Sequence, residues 1–183
     1  GEELSYCWEE VDAGPETPLG EPAGNAAIFR TRPPVAETNR YFPKLNTVIL
    51  NSSDKTEQLP TYSRDLTFRL TVRDNLLNGG GVGSADVAFK VFDGAGPFTV
   101  SSPNTASTIW RVGEYAEVAW NVANTNVAPV SCKAVNIRLS TDNGHTYPIT
   151  LASNVENDGS QYVLVPNNLG AGMRVRIDAV DNV

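Results

Sequence analysis

Apolar and polar side chains alternate without interruption in the stretch Leu66-Thr67-Phe68-Arg69-Leu70-Thr71-Val72-Arg73. Because successive side chains of a β-strand point to opposite faces, this alternation predicts a half-buried strand. The same period of two returns at Val87, Phe89 and Val91. Between the two runs lies Asn78-Gly79-Gly80-Gly81, a turn-rich sequence. The two runs and their connection therefore predict a β-hairpin.

The rest of the chain repeats this alternation, and helical periodicity is almost absent from it. Further stripes of alternating apolar residues are Val118, Trp120 and Val122; Val135, Ile137 and Leu139; and Met173, Val175, Ile177 and Ala179. No segment shows a helix cap ahead of a sustained amphipathic stripe. The predicted fold class is all-β, arranged as two tandem immunoglobulin-like β-sandwich domains.

Glycine and proline cluster between Phe92 and Pro97, where we place the domain boundary. Residues 1–95 are predicted to form an Ig/PKD-like β-sandwich, and residues 96–183 an Ig/fibronectin-III-like β-sandwich. Within the first domain, Pro and Gly interrupt residues 13–64 repeatedly. A stretch of this length without periodicity predicts a long irregular insertion that lies on the sandwich.

Both ends of the chain look shortened. The sequence Leu4-Ser5-Tyr6-Cys7-Trp8-Glu9 is typical of an interior strand with Trp8 directed into the core, yet it begins almost at the terminus. We therefore expect the first domain to lack its N-terminal strands. The second domain is expected to be truncated at its C-terminus, because the chain stops directly after a predicted strand.

Composition and charge exclude several classes of function. The 183 residues include 14 Lys and Arg against 21 Asp and Glu, for a formal net charge of −7. Nucleic-acid binding needs clustered basic residues that neutralise phosphates, and here they are scattered among acids. No run approaches the roughly 20 apolar residues of a membrane helix. We expect no nucleic-acid partner, no membrane span, and a secreted, extracellular or cell-surface location.

Segments of strand and turn sequence run through both halves of the chain. They are Leu4-Ser5-Tyr6-Cys7-Trp8-Glu9-Glu10, Leu59-Pro60-Thr61-Tyr62-Ser63-Arg64, Leu66 to Asn75, Gly96-Pro97-Phe98-Thr99-Val100, Val118-Ala119-Trp120-Asn121-Val122-Ala123, Pro129-Val130-Ser131-Cys132, Leu139-Ser140-Thr141-Asp142-Asn143-Gly144 and Asn157-Asp158-Gly159-Ser160. Together they resemble the C-terminal Ig-like and PKD-like accessory region of secreted, reprolysin-like zinc metallopeptidases of Bacteroidetes-type bacteria. The resemblance implies non-catalytic spacer or binding modules whose partner is an upstream peptidase domain of the same polypeptide.

The chain lacks the zinc motif H-E-x-x-H of those peptidases. Its only histidine is His145, and one imidazole cannot build a three-ligand zinc site. A hydrolase site in the insertion would leave Ser63 without a histidine base. We therefore expect no catalytic residues and no cofactor in this fragment, with zinc confined to the missing catalytic domain. The alternative function is an adhesin-like or glycan-binding module whose partner is an extracellular protein or a glycan.

The run from Ser140 to Tyr147 fits the Asp-box pattern S-x-D-x-G-x-T-aromatic. Asn-Gly supplies residues with positive φ, and the Asp carboxylate can accept backbone N–H bonds across a tight turn. We therefore predict a structural turn that is formed by Ser140, Asp142, Gly144 and Thr146.

Oxygen ligands for calcium could come from Asp142, Asp158 and Asp181. No D-x-D-x-D-G run accompanies them. Solvated acids in turns are the first interpretation of these residues, and a calcium site is the alternative.

The two cysteines, Cys7 and Cys132, allow one disulfide. If Trp8 points inward, its neighbour Cys7 faces outward, and Cys132 follows a Pro-Val-Ser sequence typical of a loop. Two superficial thiols could join the domains by a disulfide in an oxidising compartment. Two buried, unpaired thiols are the alternative.

Trp8, Trp110 and Trp120 could form a carbohydrate platform, although core packing is the expected role for each of them. Glu9 and Glu10 are adjacent acids that face opposite sides of one strand. They therefore cannot form a glycosidase pair.

Overall fold

A computed structural model describes residues 3–77 and 79–182, so that Asn78 of the predicted turn lies outside the described residues. Its elements are β1 (Ser5–Glu10), α1 (Leu45–Ile49), β2 (Arg64–Arg73), β3 (Val82–Val91), β4 (Thr99–Ser102), β5 (Tyr115–Asn121), β6 (Ala134–Ser140), β7 (Ile149–Glu156), β8 (Ser160–Leu164) and β9 (Arg174–Ala179). The chain is thus almost entirely β, and this part of the fold prediction is confirmed.

The chain divides into two compact units, Gly1–Phe92 and Asp93–Val183. The first unit holds one antiparallel sheet in the order β1-β2-β3. The second holds two antiparallel sheets, in the orders β4-β5-β8 and β7-β6-β9. The boundary between the units lies three residues before the end of the first predicted domain.

The hairpin predicted from the opening stretch forms the centre of the first sheet. β2 pairs with β3 along its whole length, with Phe68 opposite Val87. One face of the sheet carries Leu66 and Phe68, which are buried against Ile28 and Phe29 of the irregular segment between β1 and β2. In the described residues this segment, rather than a second sheet, covers the core of the first unit.

The prediction that residues 4–9 form an interior strand is wrong, because β1 lies at an edge of its sheet. Within the described residues, its outer side forms a single β-bridge with the irregular segment, at Tyr6 and Val35, whose backbone amides and carbonyls exchange hydrogen bonds of 2.8 and 3.0 Å. Pro33 and Pro34 precede that contact. Proline has no N–H to donate, so the pairing cannot extend into a full ladder.

The helix α1 was not predicted. It spans five residues and has no side-chain cap at its N-terminus. Such a short helix completes little more than one turn, which is too few residues to show the 3.6-residue periodicity by which helices are recognised in a sequence.

The two sheets of the second unit enclose one core. Val118 of β5 and Val163 of β8 come from one sheet, and Val135 and Ile137 of β6 come from the other. Each of these four side chains is almost completely buried. Trp120 joins the same cluster, as the inward stripe in the sequence predicted. The alternation of β5 and β6 therefore directs one face of each strand into a shared interior.

Candidate functional site

The Asp-box segment between β6 and β7 is closed by hydrogen bonds among its own residues. Ser140 Oγ donates to Asp142 Oδ1 at 2.7 Å and accepts from the Gly144 amide at 2.8 Å. Thr146 donates to the same carboxylate twice, from its amide at 2.9 Å and from its hydroxyl at 2.6 Å. Asn143 and Gly144 have φ values of 60° and 93°, as a tight turn of this kind requires.

These bonds determine the ionisation of Asp142. The Thr146 hydroxyl and amide and the Ser140 hydroxyl hold the pKa of this carboxyl well below its ordinary value of 3.8. Both carboxylate oxygens accept hydrogen bonds from within the turn. Tyr147, at the end of the motif, lies under the Arg176 guanidinium at 4.3 Å from the ring centre. All of these contacts fix the turn onto the sheet.

The three calcium candidates lie on different parts of the second unit. Asp142 is held in the Asp-box turn, Asp158 accepts the Ser160 amide at 3.3 Å between β7 and β8, and Asp181 follows β9. Within residues 3–77 and 79–182, no three His, Cys, Asp or Glu side chains gather closely enough to hold a metal ion.

Both cysteines are buried free thiols, which is one of the two alternatives that the sequence left open. Cys7 Sγ lies 3.4 Å from the carbonyl oxygen of Arg32, because the irregular segment covers the face of β1 opposite the core. Burial raises the pKa of the Cys7 thiol. Cys132 belongs to the core of the second unit. Formation of a disulfide, the other alternative, would require both sulfurs to leave these interiors.

A buried carboxylate that sequence reasoning missed organises the irregular segment. The side chain of Glu57 is fully buried and accepts hydrogen bonds from Arg32 Nε at 2.9 Å and Arg40 Nη2 at 2.8 Å. Its second oxygen accepts the Lys44 amide at 2.9 Å. Arg40 also donates to the carbonyl of Trp8, which ties the segment to β1. Glu57 therefore joins three parts of the chain through charge-assisted hydrogen bonds.

A second buried carboxylate, Glu10, fastens the same segment to the sheet. It accepts the amides of Ile28 and Phe29 at 2.6 and 2.7 Å, and Arg64 Nη2 lies 3.1 Å from its other oxygen. Arg64 also donates to the carbonyl of Ala26 at 2.8 Å. Glu10 and Glu9 face opposite sides of β1, as predicted, but no local sequence pattern identifies the partners of Glu10.

The tryptophans all contact a hydrophobic core. Trp120 is buried and donates from Nε1 to Asn157 Oδ1 at 2.8 Å. Trp110 packs against the same cluster, and Trp8 packs against the core of the first unit. Trp8 also donates from Nε1 to the carbonyl of Thr38 at 2.9 Å.

A groove of about 360 Å³ lies beside the outer edge of β1. Three aromatic residues line it, Tyr6, Trp8 and Tyr41, and Tyr41 is 41% exposed. The polar side chains of Asn39 and Arg40 lie at its wall. Aromatic rings beside a few polar groups, in a concavity of this size, are typical of small-ligand sites.

Comparison with protein-family models, with characterised proteins and with solved structures finds no match to this chain. In the part of the chain that the structure describes, α1 has five residues and no helix has the length and apolar composition needed to cross a membrane.

Proposed function

We propose that this chain consists of non-catalytic accessory modules of a secreted zinc metallopeptidase, which act outside the cell as spacers or binding units. The observation that carries the proposal is that the charged side chains described above hold the fold together. Glu10, Glu57 and Arg64 hold the irregular segment to its sheet, and Asp142 closes a turn. These groups make the structure rigid, as expected of a module that positions another domain.

We further propose that the second unit is an immunoglobulin-like sandwich and that the first is its PKD-like counterpart. In support, the second unit has two antiparallel sheets around one core, with Trp120 of a central strand inside it. In the first unit, the irregular segment takes the position that a second sheet has in a complete sandwich. Zinc in this proposal belongs to the upstream peptidase domain.

The proposal is tested by the sequence and the activity of the full-length gene product. We expect an H-E-x-x-H domain upstream of residue 1, peptide cleavage by the full-length protein, and no cleavage by the purified fragment 1–183. A gene without an upstream zincin domain, or a fragment that cleaves peptides unaided, would contradict the proposal.

The groove beside β1 favours a second candidate function, glycan binding. Sugar rings stack on aromatic side chains, and the groove presents Tyr41 with Trp8 and Tyr6 beside polar groups. Calorimetric titration with soluble oligosaccharides tests it, with Tyr41→Ala expected to weaken binding at least tenfold. Tyr115→Ala is the matched control, because Tyr115 is 72% exposed on β5 and does not line the groove. Equal binding by both variants would exclude this groove.

A further inference from the structure

Among the described residues, the outer edge of β3 is a long strand edge without a partner in the sheet. β3 spans Val82–Val91, and in the sheet order β1-β2-β3 it pairs on one side only. Its first seven residues are all exposed, including Val82 at 66% and Val87 at 47%. Unpaired strand edges present a row of free N–H and C=O groups that favours pairing with another strand.

The register of the hairpin shows which backbone groups face this edge. The Asp74 amide donates to the Gly81 carbonyl at 3.3 Å, one position beyond the pair Arg73 and Val82. Because hydrogen-bonded pairs alternate along an antiparallel ladder, the odd-numbered residues of β3 bond to β2. The amides and carbonyls of the even-numbered residues, among them Asp86, therefore point to the free edge.

We propose that this edge pairs antiparallel with the same edge of a second copy of the chain, with Ala88 opposite Ala88. In that register Asp86 lies opposite Lys90 of the second copy, and Lys90 lies opposite Asp86 of the second copy. All three positions are even-numbered, so that their backbone groups meet as hydrogen-bonded pairs. The two sheets then become one sheet of six strands.

In this pairing, Lys90 of the second copy continues a row of alternating charges that already crosses the sheet. Arg69 of β2 lies opposite Glu9 of β1 and Asp86 of β3, and it donates to both oxygens of Asp86 at 2.7 and 2.9 Å. Lys90 of the second copy would add the next positive charge beyond Asp86. Opposite charges that face each other across strands stabilise the pairing.

In the same register, the apolar side chains on the other face of β3 lie opposite apolar side chains of the second copy. Val87 comes to lie opposite Phe89 of the second copy, and Ala85 opposite Val91. Phe89 and Val91 are half-buried against the core of the first unit, and the Phe89 ring stacks on that of Phe68 with 5.8 Å between centroids. The pairing thus covers the exposed Val87 with an aromatic ring and extends the apolar layer into the second copy.

Other registers fit less well. A register centred on Asp86 places two carboxylates directly opposite each other, and one centred on Lys90 does the same with two ammonium groups. Like charges in these positions are destabilising. Registers centred on Val87 or Phe89 leave Asp86 and Lys90 without a charged residue opposite them. Only the register centred on Ala88 pairs opposite charges on one face of the strand and apolar side chains on the other.

Sedimentation velocity across a concentration series tests the proposal. A single pair of strands buries less area than a standard interface, so we expect a dissociation constant in the micromolar range and a mass approaching twice 19.7 kDa at about 0.1 mM. The variant Lys90→Glu is expected to weaken association at least tenfold, because it faces Asp86 with a like charge twice per dimer. Lys55→Glu makes the same charge change at another exposed lysine and is expected to dimerise normally.

A mixing experiment separates loss of pairing from loss of folding. Asp86→Lys should also remain monomeric alone, since it opposes Lys90 of the second copy. An equimolar mixture of Asp86→Lys with Lys90→Glu should recover a heterodimer, because each changed position then faces an opposite charge. A wild-type chain that stays monomeric at about 0.1 mM, or a mixture that fails to associate while both variants melt cooperatively, overturns the proposal.

Discussion

Glu57 places a negative charge in the interior of the first unit, where its stability depends on complete pairing. Its side chain is fully buried between Arg32 and Arg40. Removing the carboxylate leaves Arg40, which is 14% exposed, without its charged partner, whereas Arg32 is 35% exposed and stays in contact with water, so the cost is that of lost charge-assisted hydrogen bonds, about 1.5–3 kcal/mol. We therefore expect Glu57→Gln, which keeps the shape and removes the charge, to lower the free energy of unfolding of the first unit by that amount. Urea denaturation followed by fluorescence measures this change.

The exposed residue Glu16 provides the control for Glu57. The same substitution there, Glu16→Gln, is expected to change the free energy of unfolding by less than about 0.5 kcal/mol. A Glu57→Gln variant as stable as this control would mean that the irregular segment is held mainly by the apolar contacts of Ile28 and Phe29.

The two thiols give a second test at individual residues. Cys7 and Cys132 are buried in separate units, which keeps reagents from both sulfurs, and burial also raises the pKa of Cys7, so that little of this thiol is present as reactive thiolate. We expect slow alkylation of the native chain. After unfolding without reductant, intact mass should show two alkylated thiols. Alkylation of two thiols only after reduction would instead establish the disulfide that the sequence left open.

Among the elements, the turn between β6 and β7 makes a pH-dependent prediction. The pKa of Asp142 is lower in the folded chain than its ordinary value of 3.8. A carboxyl with a depressed folded pKa contributes stability that is present above its unfolded pKa and is lost as the pH falls through the folded pKa. Asp142→Asn should therefore lower the melting temperature of the second unit at pH 7. This difference from wild type should shrink as the pH falls below 3.8.

Asp158→Asn is the control for the turn, because the one hydrogen bond that its carboxylate accepts within residues 3–77 and 79–182 is the long bond of 3.3 Å from the Ser160 amide. Melting curves recorded at pH 7 and in acid compare the two variants. An Asp142→Asn protein with wild-type stability at pH 7 would show that the turn holds without its carboxylate.

The strands were predictable wherever apolar side chains alternate on one buried face. The stripes at residues 66–72, 118–122 and 135–139 coincide with β2, β5 and β6, which contribute the buried side chains of the two cores. The position of β1 was not predictable from its own residues. Its place at an edge depends on Pro33 and Pro34, which meet it only in the folded chain.

The buried ion pairs were hidden from the sequence for a related reason. Glu10 and Arg64 are separated by 54 positions, and Arg32 and Glu57 by 25. Neither spacing carries a periodic signal, since each pair is created by the path of the irregular segment over the sheet. The Asp-box turn, by contrast, is local. Its four residues lie within seven positions, so their type and order were enough to predict it.

At the scale of the whole molecule, the two units bury the apolar face of a sheet in different ways. The second unit packs one sheet against another mainly through apolar side chains such as Val118, Val135 and Ile137, with the buried amide of Asn157 bonded to the Trp120 indole. The first unit packs its sheet against a segment rich in proline and glycine, whose unpaired backbone groups need partners. Glu10 and Arg64 supply those partners from the sheet, which explains why buried charges occur where regular structure is scarce.

Separate cores imply separate responses to core mutations. Ile137→Ala removes a fully buried side chain from the second unit and should lower its free energy of unfolding by about 2–5 kcal/mol. Phe68→Ala should lower that of the first unit by about 3–5 kcal/mol, because the ring of Phe68 contacts those of Phe29, Phe42 and Phe89. In calorimetry we expect each variant to shift one transition and leave the other in place. If both transitions moved together in either variant, the two units would unfold as one cooperative body, and a spacer built from independent modules would be excluded.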